Sequence, residues 1–295
     1  MPKRLFNAMD FGTTLPGDAG ISGCEKLQCV NRGFYGKNSS GKEVPEALPL
    51  AADVDATLNK IDKTKPVYFD FEPWLCNAQG QINILTQKLY AGTVLCQYAA
   101  KGPTGTTMLY GFPGQDFNPL NPPDTITAWK SLAASVLNGG ELSSLIMANI
   151  NALGFSAYPS EYTGKDDPMG SFPTQVKFNQ ISLDTLRANN PRNLPIYGWF
   201  KPAMVYRADG KHHMLDYKTT IAHMSWLLEN CDGVVLWYWG GYPDVEKNLP
   251  TTIFDPNAPW YQAIKDSWSV YNSAPVFSQT VNRFISKFPS NFASA

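Results

Sequence analysis

Two carboxylates, Asp70 and Glu72, stand at the end of a short apolar stretch at residues 67–71. The β-branched and aromatic residues of this stretch predict a buried strand. Alternation along a strand places Tyr68, Asp70 and Glu72 on one face, with the two acidic positions about 6.6 Å apart. Burying neighbouring acids costs desolvation and mutual repulsion, which favours a chemical role for the pair.

The motif Asp-x-Glu is short, and its common alternative is a solvated strand edge or a cap for the next helix. The interpretation of Asp70 and Glu72 as a site therefore depends on what the rest of the chain places beside them.

Predicted strands and helices alternate along most of the chain. Apolar patterns and stop signals predict strands at 5–11, 67–71, 106–112, 153–158, 194–200 and 233–239, and helices at 48–61, 82–100, 125–150 (broken at Gly139-Gly140), 174–188, 217–230 and from Pro259 onward. Residues 24–48 are rich in loop residues, with a possible further strand at Phe34-Tyr35.

Such alternation predicts an α/β protein with a parallel sheet, and about seven or eight units favour a (β/α) TIM-like barrel in one domain. The chain has no Gly-x-Gly-x-x-Gly after its first strand, which disfavours the doubly wound dinucleotide-binding alternative. We expect residues 1–272 to form the catalytic barrel. Residues 273–295 are expected to be a C-terminal extension that packs on the barrel or is partly ordered.

Chemistry in a barrel lies where the strands end at their C-terminal edge. Polar and aromatic candidates fall at or just beyond these predicted ends: Asp10, Asp70, Glu72, Tyr110, Asp116, Tyr158, Tyr162, Trp237 and Trp239. Trp237 and Trp239 share a face by alternation, so either or both could point inward. An aromatic content of 13% suits a groove that stacks on sugars, and it is equally typical of a large buried core.

Composition excludes several other classes. A formal net charge of −1 and the absence of a Lys/Arg run disfavour nucleic acid as a partner. The adjacent His212-His213, placed on a loop, and His223 lack further ligands at metal spacing, so we expect no metal and no cofactor. A serine hydrolase is disfavoured because Gly-x-Ser-x-Gly does not occur.

The five cysteines give no readable disulfide framework, and at most Cys24 and Cys29 could pair locally. No stretch of eighteen apolar residues occurs and the N-terminus lacks a signal-peptide pattern, so no membrane partner is expected. The compartments that remain are the cytoplasm, a virus particle, or the exterior after trimming of a secreted protein. The oligomeric state stays open.

Five stretches, in order along the chain, resemble the hyaluronidase-type glycoside hydrolases. They are Asp70-Phe71-Glu72-Pro73-Trp74, Tyr110-Gly111-Phe112-Pro113 with Asn118, Tyr158-Pro159-Ser160-Glu161-Tyr162, Leu194-Pro195-Ile196-Tyr197 with Val205-Tyr206-Arg207, and Gly233-Val234-Val235-Leu236-Trp237. The likeness spans about residues 66–241. It implies a barrel that cleaves β-linked polysaccharides containing N-acetylhexosamine, with the acetamido oxygen of the substrate as the nucleophile.

The resemblance also implies roles for individual residues. Glu72 would be the general acid/base, Asp70 would orient the acetamido group, and Tyr162 would hydrogen-bond that group. Trp237 would form the floor of the sugar site, or Trp239 under a second alignment. If the mechanism were instead an ordinary retaining one, Asp10 would be the opposing nucleophile.

Two rival functions remain from the sequence. One is a carbohydrate-binding or virion adhesion protein that keeps the barrel without turnover, and the other is a sugar-polymer lyase. The intact Asp70 and Glu72 pair favours a hydrolase, because a lectin gains nothing from an acid kept protonated.

Overall fold

The structure is a computed structural model, and it describes residues 2–11, 15–30, 36–37, 39–41, 43–44, 50–70, 84–110, 140–157, 172–206, 211–239 and 254–273. Four predicted site residues therefore lie outside the described residues: Glu72, Asp116, Tyr158 and Tyr162. The possible strand at Phe34-Tyr35 and the predicted extension, apart from Ser273, lie outside them as well.

The strands are β1 (Arg4–Asp10), β2 (Cys24–Lys26), β3 (Gln28–Val30), β4 (Gly36–Lys37), β5 (Glu43–Val44), β6 (Val67–Asp70), β7 (Thr107–Tyr110), β8 (Leu153–Ser156), β9 (Ile196–Phe200), β10 (Ala203–Tyr206), β11 (Lys211–Met214) and β12 (Gly233–Trp239). The helices are α1 (Ala51–Leu58), α2 (Ile84–Ala100), α3 (Gly140–Asn149), α4 (Phe172–Ala188), α5 (Tyr217–Asn230) and α6 (Pro259–Ser273). None of the described helices is long and apolar enough to span a bilayer.

Local sequence explains the best-defined helix. Asp216 caps α5 by accepting a hydrogen bond from the backbone N–H of Thr219, which satisfies one of the free donors of the first turn. One side of this helix, including Met224 and Leu227, is buried, and β12 begins three residues after it ends. The predicted bounds of both elements are confirmed.

Parallel pairing joins β2, β1, β12, β9 and β8 into one sheet, and β3, β6 and β7 into a second. The predicted α/β arrangement of alternating parallel strands and helices is confirmed. The hydrogen-bonded ladders of the described residues do not form the predicted single closed ring. An isolated parallel bridge between Met108 and Ala152 lies where β7 meets β8, and the continuous segment of β2 and β3 lies between β1 and β6.

The strands have two apolar faces that pack differently. One face packs with helix residues such as Leu95, Leu183 and Ile264 in a large core, which we call the helix-side core. The other face contributes to a cluster that draws on strands of both sheets and contains no helix residue among those described: Phe6, Leu27, Tyr68, Met108, Tyr110, Ala152, Tyr197, Trp199 and Val235, with Ala8 and Trp237 packed against it. We call this second group the interior cluster.

Three sequence interpretations are corrected by the fold. The segment at 24–30, interpreted as loop, forms β2 and β3 because each pairs in parallel with a longer strand. The two histidines interpreted as loop residues lie in β11, which pairs with β10 as an antiparallel hairpin. Cys24 and Cys29 are free thiols, because Cys24 packs in the helix-side core whereas Cys29 lies beside Tyr68 of the interior cluster.

Candidate functional site

Asp70 occupies the last position of β6, at the C-terminal edge of the second sheet. Val67 and Phe69 of this strand pack in the helix-side core, while Tyr68 belongs to the interior cluster. Alternation therefore directs Asp70 to the interior side, above Tyr68, as the sequence predicts. Across the ladder Asp70 pairs with Tyr110, the last residue of β7.

Three aromatic rings, from β6, β7 and β9, pack together in the interior. The Trp199 ring centroid is 4.6 Å from that of Tyr110 and 4.9 Å from that of Tyr68, and the two tyrosine centroids are 6.3 Å apart. All three side chains are buried. The carboxylate thus stands at the rim of a packed aromatic floor contributed by three strands.

The floor also depends on Gly154 of β8. A Cβ at this position would lie 2.4 Å from Nε1 of Trp199, so the indole occupies the space that a larger residue would fill. The Trp199 Nε1 itself is buried and has no hydrogen-bond acceptor among the described residues. Close approach of the indole to the backbone is what requires glycine here.

Cys29 lies close enough to the two predicted carboxylates, Asp70 and Asp10, for their charges to act on its thiol. It lies on the strand between β1 and β6, and the Tyr68 hydroxyl donates a hydrogen bond to its sulfur. Burial is the main reason that the pKa of this thiol is raised to about 12. The Tyr68 hydrogen bond lowers the pKa, and the charges of Asp70 and Asp10 raise it. The residue is nevertheless accessible to solvent.

Asp10 ends β1 and pairs with Trp239 at the end of β12. Phe6 belongs to the interior cluster and Ala8 packs against it, so alternation directs Asp10 to the interior side too. Asp10 and Asp70 therefore both lie at the C-terminal edge on the interior side, and both charges act on the thiol of Cys29, which pairs with Tyr68.

Trp237 is partly buried and packs against the interior cluster. Lys201 follows β9 directly, is only 5% exposed, and places its Nζ 5.0 Å from the centroid of the Trp237 ring. For Trp239 the structure describes the backbone, which continues β12 to the same edge. A cation and an aromatic ring thus complete the edge on the side of β9 and β12.

Asp10, Asp70 and Tyr110 are the last residues of β1, β6 and β7, and Trp237 lies two residues before the end of β12. Their roles remain predictions. The sequence interpretation did not single out Cys29, Trp199 or Lys201. Alternation from Tyr197 would have placed Trp199 and Lys201 on one face, whereas Cys29 lay in a segment without a strand signal.

Two further observations, on a buried histidine and on metal ligands, bear on the chemistry. Complete burial lowers the pKa of His223 to about 3, so this imidazole is neutral at ordinary pH. The described residues contain no group of three or more His, Cys, Asp or Glu side chains arranged to hold a metal ion. Among the described residues, the groups at this edge are carboxylates, aromatic rings, the Cys29 thiol and the Lys201 ammonium group.

Comparison with known proteins places this arrangement in a structural class. No family model matches the chain. No curated protein matches it in sequence. Solved structures do match, and the match with a TM-score above 0.5 is to a (β/α)-barrel glycosidase.

The particular likeness is to a hyaluronidase. Bee venom hyaluronidase matches with a TM-score of 0.52 at 13% identity, over 80% of this chain and 90% of that one. The same enzyme in complex with a hyaluronic acid tetramer gives a TM-score of 0.46 at 13% identity, over 72% and 78% of the two chains. A Podospora anserina β-(1,4)-mannanase gives 0.36 at 12% identity, over 92% of this chain and 61% of that one. The resemblance seen in the five sequence stretches is thus confirmed at the level of the fold.

Proposed function

We propose that this protein is a glycoside hydrolase that cleaves β-linked polysaccharide containing N-acetylhexosamine. The observation that supports this most is the placement of Asp70 at the C-terminal end of β6, on the interior side beside Tyr110. Catalytic groups of barrel enzymes occupy this position. Glu72 follows two residues later in the sequence, at the spacing of an acid pair on one strand face.

In the proposed mechanism Glu72 acts as general acid and gives its proton to the glycosidic oxygen. The acetamido oxygen of the substrate attacks the anomeric carbon as the glycosidic bond breaks, and a cyclic cationic intermediate forms. Asp70 orients the acetamido group and stabilises the positive charge, and Tyr162 donates a hydrogen bond to that group. Glu72 then takes a proton from water as the water opens the ring, so the configuration at the anomeric carbon is retained.

Two carboxyl groups close together resist being ionised together, so one is held protonated while the other carries the charge. After burial, the charges of Asp70 and Asp10 raise the pKa of the Cys29 thiol, which supports the closeness of the two carboxylates at this edge. General acid catalysis by a carboxyl group placed this way contributes about 10²–10⁴-fold in rate.

The remaining candidates are proposed as sugar contacts. Trp237 offers an indole face for stacking, with Trp239 as the alternative or second platform. Tyr110, Tyr158, Asp10 and Asp116 are proposed to hydrogen-bond sugar hydroxyl groups. Of these, Asp10 and Tyr110 end strands whose interior side chains pack in the interior cluster.

The test is release of reducing ends from a panel of β-linked polysaccharides by the wild type, Glu72→Gln and the matched control Glu229→Gln, whose side chain is exposed on α5. We expect the wild type and the control to cleave polymers that contain N-acetylhexosamine, with Glu72→Gln slower by about 10²–10⁴-fold. A chemically N-deacetylated polymer would resist cleavage, because the nucleophile is then missing.

Several outcomes would contradict the proposal. Equal, negligible release by the wild type and Glu72→Gln on every polymer that binds would favour the carbohydrate-binding or virion adhesion protein. Unsaturated products that absorb in the ultraviolet would indicate a lyase. Cleavage of the N-deacetylated polymer at an undiminished rate would replace substrate assistance by a mechanism with two carboxylates, for which Asp10 is the candidate nucleophile.

A further inference from the structure

Lys201 is a buried cation at the same edge as the proposed sugar site. Only 5% of the residue is exposed, and its Nζ lies 5.0 Å from the ring centroid of Trp237. Phe200 of β9 pairs with Leu236 of β12, so Lys201 and Trp237 come next to each other at the following position of the two strands. Both lie on the interior side, because Trp199 and Val235 two residues earlier belong to the interior cluster.

A lysine in this position has a cost that an apolar residue would not have. Removing an ammonium group from water is unfavourable unless nearby groups compensate for the lost hydration, and an aromatic face is one such group. Methionine or leucine would fill the same space without that penalty. The charge is therefore retained for something other than packing.

We propose that Lys201 is a positioning residue that fixes the indole of Trp237 in the orientation in which it receives a sugar ring. This inference rests on the proposed function for the role of Trp237 as a sugar platform. A cation over an aromatic face is attracted most strongly when both are desolvated, and it restricts rotation of the ring. Fixing the ring before substrate binds removes an ordering cost from binding.

The experiment compares Lys201→Met, Lys201→Arg and Lys265→Met with the wild type. Methionine keeps the length of the lysine stem and removes the charge, so the variant is expected to fold. Lys265 is a matched control, because its Nζ lies 4.8 Å from the ring centroid of Tyr261, which packs in the helix-side core rather than the interior cluster. Arginine preserves a cation that can stack on the indole.

With a polysaccharide that the wild type cleaves, we expect Lys201→Met to raise KM about tenfold with little change in kcat, the pattern of a lost binding contribution. Lys201→Arg is expected to remain within about threefold of the wild type, and Lys265→Met to match it. A purely structural role would not be rescued by arginine and would not spare kcat. Unchanged KM in Lys201→Met would overturn the proposal.

A second readout does not depend on activity. The indole N–H resonance of Trp237, assigned from its loss in Trp237→Phe, is expected to shift in Lys201→Met and to stay in place in Lys265→Met. If the wild type cleaves no polymer, the proposed function fails. The resonance still tests whether Lys201 positions the ring of Trp237. A shift supports positioning of the ring by Lys201, and an unmoved resonance overturns it.

Discussion

The two ends of the parallel strands are built from different interactions. At the N-terminal end, Arg4 binds Glu25 through Nε and Nη2 at 2.9 Å each and also donates a hydrogen bond to the hydroxyl of Thr106. Its guanidinium carbon lies 4.7 Å from the ring centroid of Phe6 in the interior cluster. One side chain thereby links β1, β2 and the residue that directly precedes β7.

At the C-terminal end, the charged groups have different surroundings. Burial, with added effects of the Asp70 and Asp10 charges, raises the pKa of the Cys29 thiol, and Lys201 lies over the ring of Trp237. Aromatic rings rather than ion pairs form the floor beneath them. Like charges near one another oppose folding, whereas the Arg4 and Glu25 pair does not.

This difference indicates a division of labour along the strands. The N-terminal end is held by an ion pair and hydrogen bonds, whereas the C-terminal end carries the groups that the proposed function uses. Substitutions at the C-terminal end are therefore expected to lower activity, and substitutions at the N-terminal end are expected to lower stability.

The largest effect is expected for Asp70→Asn. The isosteric amide keeps the volume and removes the charge that the proposed mechanism needs at the acetamido group, so kcat should fall by at least about 100-fold. The melting temperature is expected to stay close to that of the wild type. Retention of wild-type kcat would remove Asp70 from the mechanism.

The same variant has a consequence for Cys29. The Asp70 charge raises the pKa of this thiol, so its removal is expected to lower that pKa, and the alkylation rate of Cys29 should begin to rise at lower pH. Peptide mass spectrometry after reaction with iodoacetamide measures this residue alone. Asp10→Asn is expected to shift the profile in the same direction by less, because the effect of Asp10 on the thiol is smaller.

An intermediate effect is expected for two glycines that face opposite sides of the strands. A Cβ at Gly154 would lie 2.4 Å from the Trp199 indole, and one at Gly198 would lie 2.3 Å from Cδ2 of Leu227 in the helix-side core. Each alanine variant should lose about 1–3 kcal/mol in the free energy of unfolding, with the greater loss at Gly154 because an indole held between tyrosine rings cannot move aside.

Activity separates the two variants. Gly154→Ala shifts the aromatic floor and is expected to lower kcat/KM about tenfold or more, while Gly198→Ala leaves it unchanged. Urea unfolding and steady-state kinetics on both proteins give the comparison. Equal kinetics in the two variants would mean that the floor beneath Asp70 does not support the site.

The sequence predicts much of this fold because its longer elements carry strong periodic signals. The bounds of Tyr217–Asn230 and Gly233–Trp239 are confirmed, and Asp70 lies on the predicted face. The strands Cys24–Lys26 and Gln28–Val30 are too short for a periodic pattern and exist through pairing with β1 and β6. Local pairing of Cys24 and Cys29 is wrong because the two thiols pack on opposite sides of this segment.

The site is predictable in part for the same reason. Alternation gives the face of each strand on which a side chain lies, so the inward direction of Asp70 and Trp237 follows from sequence. It does not give the neighbouring strands. The contact of Lys201 with Trp237 and the position of Cys29 between two carboxylates depend on strand order, which pairs elements far apart in the chain.

The smallest effect is expected at the N-terminal end, for Arg4→Met. The side chains of Arg4 and Glu25 are 35% and 43% exposed, so solvent screens their attraction and the ion pair alone contributes little. Arg4→Met also loses the hydrogen bond to Thr106 and the contact with Phe6. In total the free energy of unfolding should fall by about 1–2 kcal/mol. A double-mutant cycle with Glu25→Gln, measured by urea unfolding at low and high salt, isolates the pair. The coupling is expected to weaken with salt while kcat/KM on the cleaved polysaccharide stays unchanged, and a loss of activity larger than the loss of stability would contradict the division between the two strand ends.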